Sequence, residues 1–553
     1  MPIIRSVTIF QPALNFVKIM NSIQFNLILI LRILLIAGLI ETIILGTCNA
    51  EEVAPTVEEP TLSTGTLVPP VSILERFQAI PIQTPPVGPR PSQYAEPKET
   101  LVQPVSLFER FQEGPIQTPP EGPRPSQYAE PMVFPPIMGS RDKYPYVQMG
   151  GVFQVNSVFY SQTESNRNTQ KNTDNPSGDQ PDGTGIRRAR LTAFGSVAEN
   201  VDYRFQFDLG GFGRPTVTDV YMDILEVPLL GHVRIGHFKQ PFSLEELTSF
   251  RFNPFLDRSS LFVFHPFRRT GVGFFDWSED KKTTWYVSGF RGFNDFYGND
   301  LTDVGGYGFA ARGTHCLYYE NEGKDLLHFG AIYSILGPSN GGIQFGRFGG
   351  NSPELGLIQG QFGTSSFKQN QSMVNTGSQL SRNLDPTKGP INEGTAYYQD
   401  FHIETALVRG PFSFQAEGDI VPVRLNNGST PIFSGGYLFM TWFLTGEHRV
   451  YDRNLALFDR VIPNNNSRKG HPFGGAWELC ARLNYITLDS GSVKGGTLMD
   501  PTFGFNWYMN PFTKLSFNYI PIYLNSPEKY GDQNTPSVKT QANAWGLQAQ
   551  VDF

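Results

Sequence analysis

The last nine residues alternate strictly. Trp545, Leu547, Ala549, Val551 and Phe553 share one parity, and Gly546, Gln548, Gln550 and Asp552 share the other. A period of two places these sets on opposite faces of one strand. The same texture recurs upstream. Val201, Tyr203, Phe205, Phe207 and Leu209 oppose Asp202, Arg204, Gln206 and Asp208. Val147, Met149, Gly151, Phe153 and Val155 alternate with Gln148, Gly150, Val152, Gln154 and Asn156. Ala189, Leu191 and Ala193 alternate with Arg188, Arg190 and Thr192, and Val220, Met222 and Ile224 with Asp219, Tyr221 and Asp223. Short turns such as Ala198-Glu199-Asn200 separate some strands, and long polar stretches such as 161–185 separate others. A half-buried strand of a soluble sandwich shows the same alternation. A chain rich in such strands and ending on an apolar-parity aromatic predicts an all-β fold of another kind, a transmembrane antiparallel barrel. Its apolar parity faces lipid and its polar parity a water-filled lumen, with short turns periplasmic and long loops outside.

The first 132 residues lack this texture. Ile23 to Leu45 is an apolar run preceded by Arg5 and Lys18 and followed by Cys48-Asn49-Ala50 and the acidic Glu51. Residues 1–50 therefore read as a secretory signal peptide cleaved after Ala50, with Met20 as an alternative start. Lipidation at Cys48 and a retained anchor helix are the other readings; Arg32 and Glu41 sit badly in hydrocarbon. Residues 51–132 carry a direct repeat with a 34-residue period. Pro70-Val71-Ser72-Ile73-Leu74-Glu75-Arg76-Phe77-Gln78 returns as Pro104-Val105-Ser106-Leu107-Phe108-Glu109-Arg110-Phe111-Gln112. Such proline density forbids helix and sheet ladders and predicts an extended periplasmic spacer. Its duplicated apolar blocks also suit bivalent docking to a periplasmic or peptidoglycan partner. Residues 133–553 form the barrel. At roughly 9–11 residues per spanning strand plus connections, they hold about 14 to 18 strands.

Composition agrees. Charged residues make up 17% of the chain and aromatics 13%, with 56 Gly and 43 Pro among 553 residues. The mean hydropathy of −0.26 does not describe a helical membrane protein. A net charge of −7 gives no electrostatic case for nucleic acid. Of the three cysteines, Cys316 and Cys480 lie in strand-like stretches and make no metal motif.

Several blocks resemble the phosphate-selective porin O and P family. They are Arg187-Arg188-Ala189-Arg190-Leu191, then Arg234 to Ser249 running on to Phe255-Leu256-Asp257-Arg258-Ser259, then Pro266 to Val272. Trp442 to Tyr451, Gly475 to Leu479 and Gly504 to Tyr508 complete the set. The resemblance implies a homotrimer of 16-stranded barrels in outer-membrane lipid. It also implies that the third extracellular loop, here about Lys239 to Arg269, folds inward to narrow the pore. It matches Arg187 and Arg188 to the paired arginines of the constriction, and Lys239, Arg258 and Arg268 to basic loop positions. Arg190 departs from the aromatic that other members can carry there, and His237, Phe250 and Phe252 match no assigned role. Small anions, phosphate among them, are the implied solutes.

The residues support this on their own terms. Arg188, Arg190, Arg204, Arg234, Arg312 and Arg482 all fall on the lumen parity. Arginine meets phosphate with a planar fork of donors and stays charged. A ladder of such groups binds an ion weakly enough to release it. Lumen acids share that parity, namely Asp202, Asp208, Asp219, Asp223, Glu404, Glu417 and Glu478, so the arginines also have structural partners in a mixed-charge general porin. Asp219 or Asp223 is expected to balance the constriction. Arg449 is placed outside it. Long loops at 335–395 and 453–473 are expected on the outside, where they suit ligand binding or attachment. Nothing marks out a catalytic residue, a cofactor or a metal site: the eight histidines show no metal-binding spacing, and Lys324 with the Gly-rich 341–350 stretch makes no P-loop. The readings are thus a pore for small anions, a general porin, and an envelope attachment protein using the barrel as anchor.

Overall fold

The structure is a computed structural model that describes residues 138–553. It leaves out, within or beside connections, 141–142, 169–170, 173–174, 177–179, 181, 211–214, 293–305, 339–341, 346–373, 375, 382–393 and 528–535. The leader and the proline-rich repeat lie outside the described residues.

Sixteen strands make one closed antiparallel sheet. The first eight are β1 (Lys143–Gln162), β2 (Gly183–Ala198), β3 (Val201–Asp208), β4 (Thr216–Val227), β5 (Gly231–Lys239), β6 (Arg268–Trp277), β7 (Thr283–Arg291) and β8 (Tyr307–Glu320). The rest are β9 (Asp325–Gly337), β10 (Thr395–Arg409), β11 (Phe412–Leu425), β12 (Ile432–Phe443), β13 (Ala476–Ser490), β14 (Val493–Asn510), β15 (Thr513–Pro527) and β16 (Ser537–Asp552). Each pairs with its successor, and β16 closes on β1 from Val152↔Asp552 to Gln162↔Ala542. The three-residue strand Met138–Ser140 folds back on the start of β1.

The seam is tight at the terminal aromatic. The Gly151 amide donates to the Phe553 carbonyl at 2.9 Å, and the Phe553 amide donates back to the Gly151 carbonyl at 3.1 Å. A Cβ at position 151 would stand 2.6 Å from the Phe553 ring and 2.9 Å from the Arg190 carbonyl, so only glycine fits without displacement.

Burial is inverted relative to a protein that folds in water. Arg188, Arg190, Gln154, Asn156, Asp400 and Glu404 are each at most 2% exposed, while Ile403 is 69%, Ile420 57% and Trp442 55% exposed. Along β3 the polar residues are buried and the apolar ones open. A continuous apolar outer surface would aggregate in water. It is the stable arrangement in hydrocarbon, where a closed ring also leaves no backbone group unpaired.

Because the strands alternate in direction, the connections fall into two sets. Those after even-numbered strands share a rim with both barrel ends and are short, such as 199–200, 410–411 and 511–512. Those after odd-numbered strands are mostly long, including 163–182, 240–267 and 338–394. Two connections break the rule. Residues 491–492 make a two-residue turn on the long rim, and 444–475 is a long connection on the short rim. The expectation that 453–473 joins the outer loops is therefore corrected: an even number of strands precedes it, which places it at the end that is periplasmic in outer-membrane barrels.

Phe205 is 43% exposed near the middle of β3. Phe205→Arg is expected to destabilise the barrel by about 2–4 kcal/mol if that position sits at the bilayer midplane. Urea unfolding in liposomes measures this, and an unchanged midpoint would remove β3 from the hydrocarbon.

Candidate pore constriction

Residues 240–267 leave β5 and return at β6, and their contacts are with the wet parity of distant strands. The Leu256 amide donates to Asn518 Oδ1 on β15 at 2.9 Å, and the Glu245 amide to Glu417 Oε1 on β11 at 2.8 Å. Arg482 on β13 donates to Glu245 Oε1 at 3.2 Å, and Lys514 Nζ on β15 donates to the carbonyls of Arg251 and Asn253, both at 3.0 Å. Inside the segment, Ser243 Oγ accepts the Glu246 amide at 3.1 Å and caps a short helix, Leu244–Leu247. Its C-terminal carbonyls collect two cations. Lys239 Nζ donates to Glu246 O at 2.6 Å, and Arg258 Nη2 donates to Glu246 O and Thr248 O, each at 3.1 Å. Cations at a helix C-terminus complement its unpaired carbonyls. These bonds place Lys239 and Arg258 as clamps on the segment.

The expected arginines lie on the inner face, and each has a partner there. Arg190 meets Asp208 at 2.8 Å, and Arg188 donates to Gln154 Oε1 at 2.7 Å. Arg234 grips Asp223 with two parallel bonds of 2.7 and 2.6 Å. Arg268 meets Asp219 at 2.8 Å, and Arg204 approaches the same carboxylate at 3.9 Å. Asp219 and Asp223 therefore balance Arg268, Arg204 and Arg234, while Asp208 balances Arg190. Arg187 and Arg188 are both buried although adjacent in sequence. The ladder explains this: Gln154 pairs with Arg188 and Val155 with Ile186, so Arg187 is the extra residue of a bulge and turns inward with its neighbour. It lies 4.0 Å from Asp257.

Phe250, without a role in the sequence reading, is the platform of this side. Arg188 and Arg190 lie over its ring at 4.3 and 4.6 Å from the centroid, and Arg251 at 5.7 Å. Next to it is a cavity of about 40 Å³ lined by Arg204, Arg234, Lys239, Arg251 and Arg268 with one acid, Asp219. At the ~10–15 Å³ that one water needs, this holds about three waters or one small oxyanion. Arg460 extends the basic side, forking onto Asp552 at 3.0 and 2.8 Å.

The opposite wall is acidic. Asp400 and Glu404 on β10, Glu417 and Asp419 on β11, and Glu478 on β13 are all buried on the inner face. A second inserted segment is anchored there, from the short rim. Within 444–475, Tyr451–Asp452 pairs with Leu457–Phe458 as a small ribbon. Arg312 on β8 donates to Glu404 Oε1 at 2.6 Å and to the carbonyls of Leu455 and Ala456 at 3.1 and 2.7 Å. His328 bonds the Tyr451 hydroxyl at 2.7 Å, and the Phe458 amide donates to Thr248 Oγ1 at 3.3 Å. The two segments, entering from opposite rims, thus meet. Arg449, expected outside the constriction, is buried, donates to Gln415 Oε1 at 3.0 Å and stacks 3.6 Å from the Phe458 centroid. A third connection contributes Phe345, Val374 and Leu380, packed with Phe264, Tyr398 and Phe433.

A sixteen-strand ring, apolar outside and lined with charge inside, defines an outer-membrane porin. The family model for "Phosphate-selective porin O and P" matches residues 163–553, and the chain belongs to that family. Porin O of Pseudomonas aeruginosa is 24% identical over 373 residues, spanning 62% of this chain and 77% of that one. An uncharacterised protein of Caulobacter vibrioides is 24% identical over 389 residues, 67% of this chain and 68% of its own. Among solved structures, an anion-selective porin from Comamonas acidovorans superposes with a TM-score of 0.44 at 10% identity, covering 74% of this chain and 99% of the other.

Arg312 ties the ribbon to the wall. Arg312→Met takes two donors from Glu404 and frees two carbonyls, and breaking a buried ion pair from one side costs about 3–5 kcal/mol. Hydrogen exchange across 451–458 should rise in a barrel that still assembles; unchanged exchange there would show that the ribbon is held by other contacts.

Proposed function

We propose that this porin passes small anions along the basic wall, with phosphate and similar oxyanions the favoured solutes. The observation that carries the reading is the cavity beside Phe250, where five cationic side chains face one carboxylate. Asp219 holds Arg268 and Arg204, Asp223 holds Arg234, and Asp552 lies 3.6 Å from Arg251, so the lining carries five cations against one carboxylate of its own. In a narrow, low-dielectric passage such an excess raises the local anion concentration and repels cations. Planar guanidinium forks suit tetrahedral oxyanions, and several sites in series permit release. The family's description, phosphate-selective, supports the choice of solute. In this reading residues 240–267 are an extracellular loop folded inward as the constriction, and three copies assemble in the membrane.

The test is planar-bilayer conductance of the full chain, with reversal potentials in chloride followed by phosphate titration. Anion preference with block by phosphate is expected; cation preference would end the anion reading. Replacing Arg188 and Arg190 together by Gln is expected to lower anion preference and weaken the phosphate block. Unchanged selectivity would make both arginines structural partners of Gln154 and Asp208 only.

Residues 51–132 act as a spacer that reaches a periplasmic or peptidoglycan partner. Deleting residues 52–132 is expected to leave assembly and conductance intact and to remove a co-purifying envelope component. Loss of folding on deletion would refute the spacer role.

A further inference from the structure

The acidic wall holds an arrangement that anion passage does not use. His265 comes from the 240–267 segment, His402 from β10 and Asp419 from β11, and all three are buried. His265 Nε2 is 3.0 Å from Asp419 Oδ2, and His402 Nδ1 contacts Asp419 Oδ1. One donor atom from each residue lies within 4.8 Å of the other two. The second nitrogen of each ring faces a carboxylate: His265 Nδ1 is 3.1 Å from Glu246 Oε2, and His402 Nε2 is 2.9 Å from Glu417 Oε2. A histidine that ligates a metal through one nitrogen characteristically donates its other N–H to a carboxylate, which fixes the tautomer and the ring. One imidazole hydrogen-bonded to Glu246 and a second in ion-pair contact with Glu417 thus converge on one aspartate.

An independent feature points to a ligand. Asp400, the next inward residue of β10, is fully buried, and no N–H or hydroxyl donor bonds either of its oxygens, which lie against the Asp419 carboxylate. It neighbours Asp419, His265 and His402. Burying a carboxylate without a partner is costly, and placing it beside a second carboxylate more so. A cation between them removes both costs. The rings also have an apolar shell, with Phe242 at 4.6 Å from His265 and 5.1 Å from His402, centroid to centroid. A second grouping, His402 with Glu404 and Glu417, is also close. It is the weaker candidate, because Glu404 Oε1 already accepts from Arg312 and His328.

We propose that His265, His402 and Asp419, with Asp400 as the fourth ligand, bind a divalent transition-metal cation of the zinc type. Mixed imidazole and carboxylate ligands suit such an ion better than magnesium or calcium, which take oxygen. Because His265 belongs to the inserted segment while the other ligands belong to the wall, the bound cation clips that segment to β10 and β11.

The experiment uses the full-length porin in mild detergent, washed with chelator and titrated with Co²⁺. One equivalent per chain is expected, with intense visible bands from a low-coordinate site, displaced by Zn²⁺. The double variant H265Q/D419N, shown folded by its heat-modifiable migration, should bind at least tenfold more weakly. Equal binding by that folded variant would place the metal on other histidines and sink the proposal, as would the absence of a stoichiometric site in the native chain. If the variant fails to fold, X-ray absorption at the zinc edge of the loaded native chain decides: scattering from two imidazoles is expected, and its absence overturns the assignment.

Discussion

Everything in this molecule depends on the sheet closing. A spanning sheet with a free edge would leave a column of amide and carbonyl groups in hydrocarbon, each costing several kcal/mol. The ring closes through β1 and β16, whose ladder runs from Asp552 to Ala542. That closure is what turns the parity of each strand into a physical direction, outward to lipid or inward. The seam's requirement is met at one point by a missing side chain: Gly151 leaves room for the Phe553 ring beside the backbone of β2.

Closure creates the second problem, an interior too wide for strand side chains alone to fill. Residues 240–267 and 444–475 lie against the inward faces of distant strands, held by apolar clusters such as Leu244, Leu247, Leu326 and Phe458 together with polar anchors. Lys239, Arg258, Lys514 and Arg312 all donate to backbone carbonyls of inserted chain. These carbonyls have no ladder partners of their own, so a cationic side chain satisfies them while its charge is itself solvated by dipoles. The interior is also divided by sign: most of the strands' buried cations come from β2, β3, β5, β6 and β15, interleaved with Asp208, Asp223 and Asp552, while buried carboxylates gather on β10, β11 and β13. The net charge of −7 thus conceals walls of differing character.

The strand faces were legible because alternation is a local property. Phe205 and Gln206 read correctly as outward and inward from their neighbours alone. Lys239 and Arg258 were legible as loop cations, but that they would bind the end of a helix was not, since a four-residue helix leaves little periodic signal. Residues 453–473 were assigned to the wrong rim because the side of a connection depends on how many strands precede it, which is a global count. Phe250 carried no local signal, and its role arises only where the segment crosses β2. His265 and Asp419 are 154 positions apart, beyond any spacing motif. What sequence alone lacked was the cross-barrel register, which decides which acid meets which base.

The bulge at Arg187 has a kinetic meaning for anything that travels along β2. On a regular strand, inward-facing charges recur every second residue, about 6.6 Å apart at a rise of about 3.3 Å per residue. The extra residue brings two guanidiniums to the inner face within one such step, followed by Arg190 two positions on. The linear charge density of that stretch is therefore raised without lengthening the strand or changing its reach across the bilayer. On the proposed anion path, the step between neighbouring charges there is shorter than the strand's own periodicity would allow.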